Sequence, residues 1–250
     1  MSGYFPMFSI FKKKAPAAVD LSELKADMHS HLLPGIDDGA PDSTASLELI
    51  KGLQELGFQK LITTPHIMGD LYKNDESTIR TAYDALLKEQ KLPLPLSFAA
   101  EHLMDEHFED LLQHDIPLLA IKDNWVLVEF SFINAPLNVK EKIFNLQIKG
   151  YQPVLAHPER YLYFAGAQKG WYDELKAAGC YFQLNLLSLT NYYGKASLEL
   201  AEYLIKKQYV NLLGTDMHHT RHLHALQFSP TLTKTVKNLL DSGQILNPSL

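Results

Sequence analysis

The segment Lys25-Ala26-Asp27-Met28-His29-Ser30-His31 decides how the rest of the chain is interpreted. Its first residues favour a short strand, and two histidines follow that strand directly. In an extended segment, side chains two positions apart point the same way, so His29 and His31 can chelate one ion. In β/α barrels, functional side chains collect where strands end and loops begin. The end of every further strand is therefore a candidate place for a functional residue.

Six further strand-like runs follow, and helix-like stretches separate them. They cover residues 60–64, 97–100, 125–130, 153–156, 181–184 and 210–214. Strands that alternate with helices indicate a parallel sheet covered by helices. We therefore predict an α/β fold in which seven strands close into a barrel. An open, doubly wound sheet is the alternative.

Apolar residues at three-residue and four-residue steps place helices between these strands. The first helix begins at Asp42 or Ser43, which suit the N-cap position, and ends before Gly57. Further helices are predicted from about residue 77 and over residues 139–149, 171–178, 197–207 and 231–240.

The overall composition limits the classes of protein to consider. The chain has 250 residues, of which 46% are hydrophobic and 21% charged, as in a globular protein of one large or two small domains. A net charge of -6 argues against a protein that coats nucleic acid. The single cysteine, Cys180, excludes an internal disulfide and fits a reducing, cytoplasmic location. No apolar run approaches the roughly 20 residues that span a bilayer.

Residues 1–24 are predicted to form an arm and linker that precede a catalytic domain of residues 25–250. Aromatic residues come first in this arm and Lys12, Lys13 and Lys14 come after them, which is the reverse of a signal peptide. We expect a flexible arm. A weak contact with a membrane surface is the alternative.

Six of the seven predicted strands deliver an imidazole or a carboxylate to the same rim, whereas the sixth ends at Asn185. The residues concerned are His29, His31, His66, Glu101, Glu129, His157, Asp216 and His218. Each of them taken alone has a simpler explanation as a hydrogen-bonded core residue or an ion-pair partner. Together they suit zinc, manganese or iron, because burying so many ionisable groups without cations would be costly.

The loops beyond these strands carry further candidates. Asp38 lies in a Gly-rich loop from which it can reach a metal, although Asp37-Asp38-Gly39 also suits a simple turn. Arg160 and Arg221 follow two of the candidate ligands, and guanidinium groups bind phosphate oxygens through paired hydrogen bonds. A surface salt bridge is the alternative for each arginine. For Asp27, the simpler alternative to a ligand role is a carboxylate that orients a neighbouring histidine.

The sequence lacks the motifs of several other catalytic classes. A cysteine phosphatase needs an arginine six positions after its cysteine, but Leu186 stands six positions after Cys180. The sequence contains neither a G-x-x-x-x-G-K-[ST] loop nor a G-x-S-x-G elbow. It also contains no H-E-x-x-H motif, so metal chemistry at the strand ends is the remaining prediction.

Several blocks resemble the polymerase-and-histidinol-phosphatase (PHP) superfamily and, within it, the bacterial capsule-biosynthesis tyrosine phosphatases. The similarity extends over residues 26–221, and the motifs occur in the family's order. The blocks are Asp27-Met28-His29-Ser30-His31, the loop of residues 33–39, Thr64-Pro65-His66, His157-Pro158-Glu159-Arg160 and Asp216-Met217-His218. This resemblance implies a distorted seven-stranded, TIM-like β/α barrel with up to three metal ions, typically manganese.

The resemblance also implies how the ligands divide among the ions. One ion would be held by His29, His31, Glu101 and Asp216, a second by Glu101, Glu129 and His157, and a third by Asp38, His66 and His218. Arg160 matches the family's phosphate-binding arginine, and Arg221 is a second candidate. This chain departs from the family at His219, where small residues are commoner, and we expect that change to affect the mouth of the pocket.

The resemblance implies hydrolysis of phosphotyrosine in a protein by metal-activated water. The protein substrate it implies is a bacterial tyrosine kinase that governs polysaccharide export. A small-molecule phosphatase of the histidinol-phosphate type and a phosphodiesterase are alternatives, because the ligand set does not separate them. A metal-binding scaffold without turnover is the alternative outside enzymes. The sequence leaves the oligomeric state open.

Overall fold

The computed structural model describes residues 18–250. The aromatic and basic part of the predicted arm, and with it the alternative of a membrane contact, lies outside these residues. The last part of that arm does not stand apart from the domain, because Val19, Leu21 and Leu24 are buried in the main hydrophobic core. The backbone N–H of Leu21 donates to the carbonyl of Leu56 at 2.8 Å. The role of the residues before position 18 stays a prediction.

In the described part of the chain, nine short strands, all paired in parallel, form two sheets. The strands are β1 Ala26–Asp27, β2 Lys60–Thr63, β3 His66–Ile67, β4 Leu96–Phe98, β5 Glu101–Leu103, β6 Trp125–Glu129, β7 Gln152–Ala156, β8 Tyr181–Asn185 and β9 Val210–Gly214. One sheet has the order β1, β2, β4, and the other has the order β3, β5, β6, β7, β8, β9. Seven of these strands overlap the seven predicted strands. The other two, β3 and β5, were not predicted and begin just beyond the predicted runs of residues 60–64 and 97–100.

Pro65 separates β2 from β3, and proline has no N–H to donate to a strand ladder. Backbone hydrogen bonds nevertheless link the two sheets at this point. The N–H of Ala99 donates to Thr63 at 2.8 Å, and that of Glu101 donates to Pro65 at 3.1 Å. The interruption is therefore a local distortion of one circuit of strands, in agreement with the predicted distorted barrel.

Side chains join the first strand to the last. The carboxylate of Asp27 accepts from the backbone N–H of Thr215 at 2.9 Å and from its hydroxyl at 2.7 Å. The buried amide of Asn247 donates to the carbonyls of Ala26 and Leu213, at 3.1 and 2.7 Å, and accepts from the N–H of Leu213 at 2.8 Å. Asp27 thus fixes this seam through Thr215, and orienting a histidine, the alternative considered for it, is not the role that its carboxylate has here.

Beyond the ends of these two strands, backbone hydrogen bonds connect the segments that follow them. The N–H of Asp216 donates to the carbonyl of His29 at 2.7 Å, and the N–H of His31 donates to that of Met217 at 2.8 Å. The first and last strands therefore lie side by side, as a barrel requires. The α/β prediction is confirmed, and these contacts favour the barrel over the open sheet.

Eight α-helices are described, and six of them were predicted. Asp42 caps the first helix by accepting from the N–H of Ala45, as expected. The bounds are α1 Ser43–Glu55, α2 Glu76–Glu89, α3 Glu106–Gln113, α4 Val139–Ile148, α5 Gly170–Ala177, α6 Lys195–Lys206, α7 Thr220–Gln227 and α8 Leu232–Asp241. The two helices that were not predicted, α3 and α7, have only two turns each, too short for a clear apolar period.

A small apolar cluster fills the inside of the barrel below the rim. It contains Met28, Ile62, Ala99, Ile121, Leu127, Val154, Ala156 and Leu212. Leu127 and Glu129 lie two positions apart on β6 and therefore share one face of it. The same face of β6 therefore supplies the apolar Leu127 to this cluster and, two positions later, the carboxylate of Glu129 to the rim. Among residues 18–250, no helix is long and apolar enough to cross a membrane.

We predict that Asn247→Ala lowers the free energy of unfolding by about 3 kcal/mol, because it leaves buried backbone groups of Ala26 and Leu213 without partners. Urea denaturation measures the change. Asn134→Ala is the matched control, because the exposed Asn134 amide bonds only to the carbonyl of its neighbour Ala135. Equal stability of the two variants would show that the Asn247 bonds do not hold the seam.

Candidate metal centre

All nine side chains predicted as metal ligands reach the same rim of the barrel. Two of them, His157 and Asp216, have left-handed backbone conformations, with φ of 34° and 51°. Such conformations are unfavourable for residues other than glycine and concentrate at functional sites. His157 comes directly after β7 and Asp216 two residues after β9, and both side chains reach the centre.

The carboxylate of Glu101 lies in the middle of the centre and is fully buried. Four imidazole nitrogens surround it. His29 Nε2 lies 3.1 Å, His31 Nε2 3.4 Å and His66 Nδ1 3.2 Å from its Oε2, and His157 Nε2 lies 3.0 Å from its Oε1. Side chains from the ends of β1, β3 and β7 therefore meet at one acid on β5.

The donor atoms form three groups that could each hold a metal ion. Within each group, all donor atoms lie within 4.8 Å of one another. The groups are His29, His31, Glu101 and Asp216; His31, Asp38, His66 and His218; and His66, Glu101 and Glu129. The first group matches one predicted ligand set, and the second contains another with His31 added.

The third group differs from the predicted set in one histidine. The set implied by the resemblance combined Glu101 and Glu129 with His157, whereas the structure places His66 Nδ1 2.9 Å from Glu129 Oε1. His157 contacts the other oxygen of Glu101, but no group of three among the described residues includes it. His66 also approaches Asp38, at 3.5 Å from Nε2. How the ligands divide among the ions stays a prediction.

The donor set fits bound cations. Both oxygens of Glu101 and Oε1 of Glu129 are buried, and the imidazole nitrogens near them are not aligned for a hydrogen bond, so these oxygens have no hydrogen-bond partner among residues 18–250. Unpaired buried carboxylate oxygens are costly unless a cation or a donor satisfies them. Mixed imidazole and carboxylate donors suit zinc, manganese or iron.

The electrostatics lead to the same conclusion. Burial opposes the protonation of His29, but the carboxylates of Glu101 and Asp216 outweigh it and raise the pKa of His29 to about 9. Burial likewise opposes ionisation of Asp216, yet the neighbouring His29 and His218 hold its pKa well below the usual range. The carboxylates thus demand positive charge nearby, which either protons or metal ions can supply.

Two residues outside the predicted ligand set orient the first histidine pair. Nδ1 of His29 lies 2.8 Å from Oε1 of Gln183, and an amide oxygen only accepts, so Nδ1 carries the proton. Nδ1 of His31 likewise lies 2.8 Å from Oδ2 of Asp37. Both contacts leave Nε2 free to bind a metal. Asp37, which also suited a simple turn, therefore has a role as a positioning residue.

The acceptor Gln183 contacts more than one ligand. Its Oε1 also accepts from the backbone N–H of His157, at 3.2 Å. Asn185, two positions further on β8, donates from Nδ2 to Oδ2 of Asp216 at 2.8 Å. Strand β8, the sixth of the predicted strands, thus supplies amides where the other predicted strands supply candidate ligands. The spacing of Gln183 and Asn185 on one strand face was the available sequence signal for both.

Next to the ligands lies a cavity of about 220 Å³. Arg160 lines it and donates from a terminal nitrogen to Oδ2 of Asp216 at 2.8 Å. The guanidinium carbon lies 4.6 Å from the ring centre of Phe132 and 4.1 Å from that of Tyr193. Two aromatic rings therefore hold this arginine beside the ligands, and neither ring was singled out from the sequence.

The second predicted arginine, Arg221, is exposed in the first turn of α7 and does not line the cavity. The nearby histidines His219 and His222 line the cavity instead. The His219 ring accepts the N–H of His222 and so caps α7. Burial, followed by the charge of His219, lowers the pKa of His222 to about 3, so this ring is neutral. His219 lines the cavity, in agreement with the expectation that a histidine at this position affects the mouth of the pocket.

A sequence profile described as "Capsular polysaccharide synthesis, CpsB/CapC" matches residues 25–240. The chain is 32% identical over 215 residues to tyrosine-protein phosphatase YwqE of Bacillus subtilis, with 83% of this chain and 84% of YwqE covered. It is 27% identical over 202 residues to tyrosine-protein phosphatase CpsB of Streptococcus pneumoniae, with 77% of this chain and 82% of CpsB covered.

Among solved structures, the chain superimposes with a TM-score of 0.75 and 28% identity on one reported with the crystal structures of YwqE and CpsB, described as unique metal-dependent tyrosine phosphatases. The match covers 90% of each chain. The predicted resemblance to the capsule-biosynthesis phosphatases is confirmed.

We predict that Gly214→Ala lowers metal affinity about 10- to 100-fold, because a Cβ at this position would lie 2.7 Å from His29 Cβ and 2.8 Å from Gln183 Nε2. Isothermal titration of the metal-free protein with manganese measures the change. Gly170→Ala is the control, because a Cβ there meets nothing within 4 Å. Unchanged affinity in Gly214→Ala would show that the His29–Gln183 contact does not set ligand geometry.

Proposed function

Because the chain belongs to the capsular polysaccharide synthesis family CpsB/CapC, we propose that it is a metal-dependent phosphatase that hydrolyses phosphotyrosine in proteins. The observation that carries the proposal is the convergence of three ligand groups around Glu101, directly beside the cavity that Arg160 lines. Cations and a guanidinium group on one cavity suit a phosphate group, whose oxygens need positive charge on several sides.

We assign up to three ions to the ligands predicted for them. The sets are His29, His31, Glu101 and Asp216; Glu101, Glu129 and His157; and Asp38, His66 and His218. Manganese is our first choice, with iron and zinc as the alternatives, because all three accept mixed imidazole and carboxylate donors. When bound, such ions supply Lewis acidity to the phosphate and activate water at neutral pH.

The protein's own groups bind and orient the substrate. Arg160 would hold phosphate oxygens while its ion pair with Asp216 and its two aromatic neighbours fix its side chain. A charge held in place before the reaction stabilises the transition state without reorganisation. Arg221 is proposed as a second phosphate contact, which requires its exposed side chain to turn towards the mouth of the cavity.

The size of the cavity supports a single phosphorylated side chain as the substrate. At about 220 Å³, it is smaller than the roughly 300–1,000 Å³ of sites for larger ligands. Phe132, which is 49% accessible, offers an aromatic surface for the phenyl ring of phosphotyrosine at the cavity wall. An aliphatic phosphate ester would not use that surface.

The partner we propose is a bacterial tyrosine kinase that governs polysaccharide export. The family's description, capsular polysaccharide synthesis, supports this choice. We also propose that the protein acts in the cytoplasm, where such a kinase would present its phosphorylated segment. The buried, unpaired state of Cys180 fits a reducing compartment.

We predict that the double variant His29→Ala, His31→Ala loses at least about 100-fold of its kcat with a phosphotyrosine peptide, since it removes two donors of the first ligand group. Elemental analysis should show less bound metal. A parallel assay with histidinol phosphate and single-stranded DNA tests substrate class.

The double variant His107→Ala, His114→Ala is the control, because both residues lie on or next to α3 and outside every ligand group. Wild-type turnover of histidinol phosphate alone would reject the protein-phosphatase function. Full activity in the His29, His31 variant would reject the proposed metal centre.

We predict that Arg160→Ala lowers kcat about 100-fold, and that Arg160→Lys recovers little of this loss because an ammonium group lacks the planar, paired donors. Steady-state kinetics with p-nitrophenyl phosphate measures both variants. Metal content must be measured beside them, because Arg160 also contacts the ligand Asp216. A loss of activity explained fully by metal loss would remove Arg160 from phosphate binding.

A further inference from the structure

A second, larger groove of about 700 Å³ lies between α3 and α4. Its walls include Leu103 and Met104 at the end of β5. They also include Leu137, which precedes α4, and Ile148, the last residue of α4. The function proposed above makes no use of this groove.

The groove and the metal cavity share one loop. This loop follows Glu129 at the end of β6 and leads to the start of α4 at Val139. Phe132 on the loop lines the metal cavity, while Ser131 and Asn134 on either side line the groove. A chain segment whose phosphorylated side chain enters the cavity past Phe132 would therefore meet the groove within a few residues.

The same loop and the adjacent helix expose apolar side chains. Ile133 is 88%, Leu137 83% and Ile148 65% accessible, and Phe144 is also exposed. Single exposed apolar residues are common, but four of them on one loop and the helix that follows it, two of which line the groove, suit a protein-binding surface.

The charge of the groove is negative. Four acids line it, Asp105, Glu106, Glu109 and Glu141. Its two lysines are engaged in ion pairs, Lys142 with Glu109 and Lys149 with Asp115. Over residues 18–250, Glu106 and Glu141 form no ion pair, so their charges are available to a ligand.

From these observations we infer that the groove between α3 and α4 binds the polypeptide next to the phosphotyrosine, through apolar and basic side chains of the substrate. The inference rests on the proposed function and deepens it. Apolar partner residues would cover Leu137 and Ile148, and a lysine or arginine would pair with Glu106 or Glu141. Such contacts favour phosphotyrosine in a protein over a free aryl phosphate, because only the protein reaches the groove.

The test compares two substrates on the double variant Leu137→Ser, Ile148→Ser. The substrates are p-nitrophenyl phosphate and a phosphotyrosine peptide whose flanks carry leucine and lysine. We expect kcat/KM for the peptide to fall about tenfold through KM, with kcat unchanged. Turnover of p-nitrophenyl phosphate should stay within about twofold of wild type. Leu87→Ser, Phe228→Ser is the matched control, since both residues are exposed apolar side chains outside the groove.

Charge is tested separately with Glu106→Lys, Glu141→Lys and two peptides that differ only in lysine or glutamate flanks. Wild type should prefer the lysine peptide, and the variant should lose or reverse that preference. Equal effects on the peptide and the aryl phosphate, or no effect on either, would overturn the inference. So would a shift from dimer to monomer in light scattering, which would assign the groove to a second copy of the chain. Absence of any turnover in wild type would instead reject the proposed phosphatase function.

Discussion

The site depends on one buried acid, Glu101, and on the four imidazoles that surround it. A carboxylate at this depth is stable only if positive charge reaches it, because water does not. The histidines come from β1, β3 and β7 or the residues that follow them, so the barrel must bring all these strand ends together. The buried carboxylate that needs positive charge around it is also the group around which cations can bind. Stability and activity therefore draw on one set of contacts, and metal binding strengthens both.

The ligands were predictable from the sequence because two local rules apply to them. Side chains two positions apart on a strand face one way, and parallel strands end at one rim, so His29, His31, Glu101 and Glu129 could be placed without coordinates. The residues that orient them could not. Gln183 meets His29 across 154 positions of sequence, and nothing near either residue indicates that contact. Phe132 and Tyr193 were missed for the same reason.

The fold shows the same limit. Strand positions and the longer helices followed from apolar periodicity, but the break at Pro65 and the use of side chains at the seam depend on how distant segments meet. Asp27 illustrates the difficulty. A carboxylate two residues before His29 suggested a partner for an imidazole, whereas the structure directs it to Thr215 on the opposite side of the seam. Spacing along the chain predicted its neighbourhood but not its partner.

The seam between the first and last strands has a consequence for how the protein is made. Asp27 and Thr215 are 188 positions apart. At ribosomal rates of about 5 to 20 residues per second, roughly 10 to 40 seconds pass between the synthesis of one and the other. Throughout that interval the first histidine pair has been translated, but Asp216 and His218 have not. The nascent chain therefore holds an incomplete ligand set, and full metal loading must wait until the last strand has emerged.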